Sequence, residues 1–260
     1  MIGKYLKNLS TDILIDLKFV WSVILESLKL FGKNFGIIIV YSIVSVFILI
    51  VIALFSGMAQ DIKHEVVIPT ILFFTIIFVQ SYTTLGFYKF IFTLKDSEYY
   101  EFEFSQILPH IRMIFNFIKL WILFAVLVVT FDFFIIGVFL KGYSLIQDIL
   151  KIAAEIVFAY LALRYMFFIA FIVDDLSGSI ESLRQSFNLT RSNIFKVILI
   201  LAFFITIIAL PIYGIVYYDL KFLVLTLIFL YPFINIVLAL TYRQLVHDAN
   251  NVDDILLETV

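Results

Sequence analysis

The chain has 260 residues, 63% of them hydrophobic and only 15% charged, at a mean hydropathy of +1.12. A soluble domain carries about 45–50% apolar and about 25% charged residues, so this composition excludes a separate soluble domain and fits one integral membrane domain over 1–260. A net charge of −2 with acids and bases intermixed excludes a nucleic-acid surface, and the lack of Cys excludes disulfides, thiolate nucleophiles and Cys-based metal sites.

The first thirty residues carry Asp12, Asp16 and Glu26 within an apolar pattern and lack a small-residue cleavage site, so no cleaved signal peptide is expected. From Asp12 to Lys33 the polar residues fall on roughly half of a helical wheel. Trp21, Ile24, Leu25 and Leu28 occupy the other half. This pattern predicts an amphipathic helix lying in the membrane interface.

About twenty apolar residues at 1.5 Å per residue cross a hydrocarbon core of about 30 Å. Six runs meet that length: Phe35–Phe55, Val66–Leu94, Lys119–Leu140, Ile152–Val173, Ile194–Tyr218 and Phe222–Tyr242. Of the Lys and Arg, thirteen fall on one side (Lys4, Lys7, Lys18, Lys29, Lys33, Lys89, Lys95, Arg112, Lys119, Arg184, Arg191, Lys196 and Arg243) and four on the other (Lys63, Lys141, Lys151 and Lys221). The positive-inside bias then predicts cytoplasmic termini in an inner, or cell, membrane.

Two further interfacial elbows are expected before the third and fifth spans. Pro109 starts or breaks the middle one. The third opens with Ser179 as N-cap and Glu181 in its first turn, followed by an apolar stripe of Ile180, Leu183 and Phe187. Tyr88, Tyr165 and Tyr242 close the second, fourth and sixth spans at a spacing of 77 residues. The outward spans are entered through similar elbows, Lys33-Asn34-Phe35, Arg112 with Asn116-Phe117, and Arg191-Ser192-Asn193. The expected fold is therefore all-α and polytopic: six transmembrane helices in three hairpins, each preceded by an amphipathic interfacial helix. Its pseudo-repeats lie at about 11–95, 101–175 and 179–248.

Asp174-Asp175, then Ser182-Leu183-Arg184-Gln185-Ser186-Phe187-Asn188-Leu189-Thr190, and the closing Tyr242-Arg243-Gln244-Leu245 carry a resemblance. The chain resembles an uncharacterised family of bacterial membrane proteins. That family includes the YciC-like proteins and the membrane domain of membrane-anchored glycerophosphodiester phosphodiesterases. Ser182 and Ser192 stand where that family's pattern has Ala and Gly. The resemblance implies the six-span layout but no substrate. The phosphodiesterase activity is not expected to carry over, because only 18 residues follow Tyr242.

Charges within spans are the default functional candidates in a membrane protein. Asp132 and Arg164 are expected at levels about 6 Å apart on a 1.5 Å rise, as a structural ion pair or as a substrate- or proton-linked site. Lys89 sits near enough to the interface to snorkel, and Asn235 and Gln80 are amides able to bond between helices. Pro211 and Pro232 interrupt the last two spans.

No catalytic or cofactor pattern is present. His64-Glu65 lacks a zinc-protease helix's second His, and Gly32-x-x-x-Gly36 holds Lys33 and Asn34 between its glycines. The expected function is non-enzymatic, without a cofactor: a membrane-organising or accessory protein whose partners are membrane lipids and possibly another membrane protein. The alternative is a small-molecule or lipid transporter built from repeats. Oligomeric state is left open.

Overall fold

The computed structural model describes residues 2–60, 67–96, 107–131, 133, 144–220 and 223–258. Among these residues the chain is helical without strands. The helices are α1 (Ile2–Lys33), α2 (Phe35–Gln60), α3 (Val67–Asp96), α4 (Ile111–Val129), α5 (Ser144–Arg164), α6 (Phe168–Asp174), α7 (Ser179–Ser192), α8 (Ile194–Tyr218) and α9 (Leu223–Glu258).

Four segments among the described residues are long and apolar enough to cross a membrane: Ile111–Val129, Asp148–Asp174, Ile194–Tyr218 and Phe229–Asp248. A fifth is the pair Ile13–Lys33 and Phe35–Ile48, bent by 85°. The protein is thus an all-α, multi-pass design by length and composition. Helix α3 has 30 residues, more than the roughly 20 a crossing needs, but the polar run Gln80–Thr84 lowers the hydropathy of its second half.

The 85° bend makes α1 an elbow rather than the start of a span. It has two apolar faces. Val20, Val23 and Ile24 pack into the bundle, while Trp21, Leu25 and Leu28 are exposed. Ile24, expected on the lipid side, is therefore part of the core. At the bend, the Asn34 side-chain amide donates to the Leu30 carbonyl at 3.1 Å, satisfying one helix-end acceptor. Asn193 does the same with the Leu189 carbonyl, also at 3.1 Å, between α7 and α8.

Three boundaries differ from the sequence reading. Helix α4 starts at Ile111, directly after Pro109 and His110, so the third crossing begins before Lys119. The preceding residues 97–106 of the middle elbow lie outside the described residues. Helix α7 is capped by Gly178 rather than Ser179, and Glu181 accepts a hydrogen bond from the Gly178 N–H at 3.4 Å. The expected fourth span is broken at Tyr165–Phe167 into α5 and α6. By contrast, α8 and α9 continue through Pro211 and Pro232.

The break between α5 and α6 frees backbone groups that hydrocarbon cannot solvate, each at a cost of several kcal/mol. Helix α7 supplies the missing partners. The Phe167 N–H donates to Ser186 Oγ at 3.2 Å, and the Ser186 hydroxyl donates to the Arg164 carbonyl at 3.0 Å. Thr190 Oγ1 lies 3.2 Å from the same carbonyl. Ser182, Ser186 and Thr190 are wholly buried and recur every four residues, so α7 turns a hydroxyl stripe inward. Ile180, by contrast, is 78% exposed.

The core is concentrated at the elbow end. It takes in Val20–Ile24 of α1, Leu85–Phe92 of α3, Met113–Leu120 of α4, Phe167–Val173, Val197–Phe204 of α8 and Phe233–Leu245 of α9. Toward the other end, Phe47 and Leu54 of α2, Val129 of α4, Ile156 of α5 and Leu210 and Val216 of α8 stay more than half exposed. Lipid is as apolar as these side chains, so no hydrophobic force drives them together.

Ser186→Ala should lower thermal stability in detergent by about 1–3 kcal/mol, the cost of a buried backbone donor left without its partner. Thr206→Ala, which removes an exposed hydroxyl bonded only to its own helix at Ala202, should stay within about 0.5 kcal/mol. Equal losses in the two variants would show that Ser186 is not holding the break.

Candidate functional site

Arg164 ends α5 at the break, and its position is set by α7. Its guanidinium lies 5.0 Å from the Tyr160 ring and 5.0 Å from the Phe187 ring, held by the negative faces of both. Its Nε and Nη1 are shielded from solvent with no hydrogen-bond partner among the described residues. Asp132, the expected partner, lies outside the described residues.

Lys89 donates from Nζ to the Leu108 carbonyl at 2.9 Å, pinning α3 to the segment before α4. Asn235 donates to the Tyr231 carbonyl of its own helix at 2.8 Å. Gln80 is exposed. Among the described residues, no hydrogen bond or ion pair joins Arg164, Lys89 and Asn235 to one another. They mark three separate places.

The densest polar constellation lies at the elbow end, where α1, α3, α6 and α9 converge. Arg243 Nη2 reaches Asp174 Oδ1 at 2.8 Å and Asp96 Oδ2 at 3.0 Å. Its guanidinium sits 4.7 Å from the Phe92 ring. The Tyr242 hydroxyl donates to the other Asp174 oxygen at 3.1 Å. Glu26 pairs with Lys95 and accepts from Gln244 Nε2 at 2.6 Å. Glu26, Lys95, Asp96, Asp174, Arg243 and Gln244 line a cleft of about 670 Å³ shared with Phe19, Ser22 and His247. On its flank Lys196 meets Asp248 at 3.4 Å and the Phe19 ring at 4.4 Å.

Local backbone geometry places the acids. Helix α6 stops where the Asp175 and Ser177 N–H groups both turn back to the Phe171 carbonyl, with Leu176 in the left-handed region at φ 55°. Asn116 of α4 locks that turn by donating to the Ser177 carbonyl at 3.2 Å. Asp174 is left facing Arg243, with its side chain 21% exposed against 58% for Asp96. The Asp174 pair is the better sheltered from solvent screening and so the stronger. Asp175, beside it, has its carboxyl pushed above the ordinary carboxylate range, first by burial, then by the neighbouring Asp174 charge, against a smaller opposing pull from Arg243.

Chemically this is a clamp. Arg243 is shared by two acids and Lys95 is matched by Glu26, so two cations and three carboxylates hold one another across four helices, leaving one negative charge over. Among the described residues no group of three or more His, Asp or Glu side chains is arranged to hold a metal ion. The sequence had marked Asp174 and Tyr242-Arg243-Gln244 only as a motif. Glu26 read there as part of the first elbow's polar face and Lys95 as one of thirteen basic residues on one side; Asp96 was not singled out. No family model, curated protein or solved structure matches this chain.

Arg243→Ala should cost about 2 kcal/mol of stability, the range for hydrogen bonds to charged groups, and Asp96→Ala less than about 1 kcal/mol, as an exposed pair. The reverse order, by thermal unfolding in detergent, would contradict the clamp.

A folded-state pKa above the free-chain value means that ionising Asp175 weakens the fold. The stability it contributes is complete below the free carboxylate pKa and is lost as pH rises through the folded value. Asp175→Asn should therefore unfold at a higher temperature than the parent at neutral pH, with the gap closing toward about pH 4. A gap that does not change with pH would show that Asp175 does not titrate differently in the fold.

Proposed function

We propose that the chain is a non-enzymatic membrane-organising or accessory protein of the inner membrane. In this reading it has six spans, with α3 as the additional one, cytoplasmic termini, and elbow helices that engage lipid or a partner membrane protein. The observation that carries it is the second apolar face of α1. Trp21 is 62% exposed and Leu28 50% exposed on a helix set at 85° to the following span. A helix in that attitude, with apolar residues on one side and Lys18, Lys29 and Lys33 along it, is built for the boundary between headgroups and acyl chains. The clamp at the same end, whose charges are engaged with one another, supports a scaffold better than a reaction centre. Among the described residues, the separation of Arg164, Lys89 and Asn235 and the unbroken courses of α8 and α9 favour this reading over the transport alternative.

The three-unit organisation is part of this proposal. Ser27-x-x-Leu30-x-x-x-Asn34 and Ser186-x-x-Leu189-x-x-x-Asn193 share residue types, spacing and the Asn-to-Leu carbonyl bond. Ser27 and Ser186 are both fully buried. Tyr88 and Tyr242 are buried within continuous helices, whereas Tyr165 falls at the break and is only partly buried.

Tryptophan fluorescence tests the elbow. In Trp121→Phe, Trp21 is the only tryptophan left, and brominated lipids should quench it most strongly when the bromines lie about 5–10 Å below the headgroup boundary. Maximal quenching from the bilayer centre, or none, would sink the interfacial reading. For orientation, a single Cys at Arg184 should react with an impermeant maleimide only after permeabilisation, and one at Lys151 in intact cells. The opposite pattern would invert the topology.

A further inference from the structure

A groove of about 630 Å³ runs between α2 and α3, lined by Ile37, Val44 and Ile48 on one side and Phe78 and Tyr82 on the other, with Ile107 at its elbow end. Of its four hydroxyl-bearing residues, Tyr41, Ser45, Tyr82 and Thr83, three are turned onto the backbone. The Tyr41 hydroxyl donates to the Thr83 carbonyl at 2.9 Å, Ser45 to the Tyr41 carbonyl at 2.9 Å and Thr83 to the Val79 carbonyl at 3.0 Å. With those donors spent on backbone, the walls offer carbon. They suit a hydrocarbon chain and not a polar solute.

The floor is fixed. Tyr41 stacks on Phe87 at 5.2 Å and on Phe90 at 5.7 Å. It can lie there only because residue 86 is Gly: a Cβ at that position would stand 2.7 Å from the Tyr41 hydroxyl oxygen. From Ile37 to Ile48 the groove rises about 16 Å at 1.5 Å per residue, half of a hydrocarbon core of about 30 Å. It is one leaflet deep.

A cation stands at its elbow end. Lys89 follows Tyr82 by seven residues and shares its helix face to within about 20°. The acceptor of its Nζ, the Leu108 carbonyl, belongs to the residue after the groove-lining Ile107. An ammonium has three donors, and that bond uses one.

We propose that this groove is a binding site for a phospholipid of the elbow-side leaflet, with one acyl chain between α2 and α3 and an anionic headgroup at Lys89. The proposal deepens the lipid-engaging reading above and rests on it, adding a defined site and a headgroup preference. The full chain would be placed in nanodiscs of phosphatidylcholine with a small fraction of phosphatidylglycerol bearing a diazirine along one acyl chain. Adducts are then mapped after illumination. They should concentrate on Val44, Ile48 and Phe78, and Val44→Trp and Val40→Trp should each lose most of them. Both positions are more than half exposed, so a larger side chain fills the groove without entering the core.

Lys89→Gln should reduce the preference for the phosphatidylglycerol probe over its phosphatidylcholine counterpart about fivefold, what one cation near an anionic leaflet is worth. Lys89→Arg should retain it. Unchanged adducts in both tryptophan variants, or an unchanged headgroup preference in Lys89→Gln, overturns the site. Adducts on Trp21, Leu25 and Ile180 report on the elbows separately. Labelling there with an unlabelled groove overturns the groove alone, and labelling at neither overturns both.

Discussion

The architecture depends on hydroxyls of α7 completing the backbone of another helix. A crossing helix interrupted at Tyr165–Phe167 has no water to turn to, so its Arg164 carbonyl and Phe167 N–H must find protein partners or the break cannot exist. Ser186 meets both, as donor to one and acceptor from the other, with Thr190 beside it. Once α7 is tied there, Phe187 is brought against the Arg164 guanidinium. The short α6 continues from the break, and its last residue, Asp174, meets Arg243.

The clamp lies at the end of α6, the segment that the break begins. Its members come from four helices, far apart in sequence, and each helix brings its charge near the end of a mostly apolar run. Such charges are costly singly and tolerable together. Arg243 is the shared element: its planar guanidinium serves two carboxylates and lies against the Phe92 ring at once. The Tyr242 hydroxyl on Asp174 fixes which oxygen is left for Arg243. The result ties together the helix ends whose buried residues form the core. Toward the far end many apolar side chains stay exposed, where lipid covers them without cost.

Helical class and the approximate crossings were legible because about twenty apolar residues at a stretch have few other fates. The first elbow was legible through its amphipathic period. Its two-sidedness was not, since periodicity separates polar from apolar but cannot tell protein from lipid as the cover for an apolar face; Ile24 and Trp21 look alike in the sequence and lie on opposite sides. The break was invisible for a related reason. Tyr165-Met166-Phe167 contains neither Pro nor Gly, so nothing local announces it, and the compensating residues stand about twenty positions later. Arg164 and Lys89 were found by hydropathy alone, because a charge in an apolar run is conspicuous. The clamp was missed for the opposite reason: at helix ends charges are the norm. Only the three-dimensional meeting of Asp174 with Tyr242 and Arg243 separates them from their neighbours.

The same logic explains why glycine is scarce in a membrane bundle where it usually lets helices approach. Here the elbows do the work of close packing. At the elbow end, α1 and α7 fill the space with Val20, Val23, Ser27, Ser182 and Ser186, all buried. Gly is retained where helices or turns do come close, at Gly86 under Tyr41 and at Gly214, whose added Cβ would stand 2.4 Å from a Leu223 methyl. A bundle gathered at one end and open at the other leaves clefts between its hairpin arms one leaflet deep. The α2–α3 groove is thus a consequence of how the elbows hold the fold, not a cavity added to it.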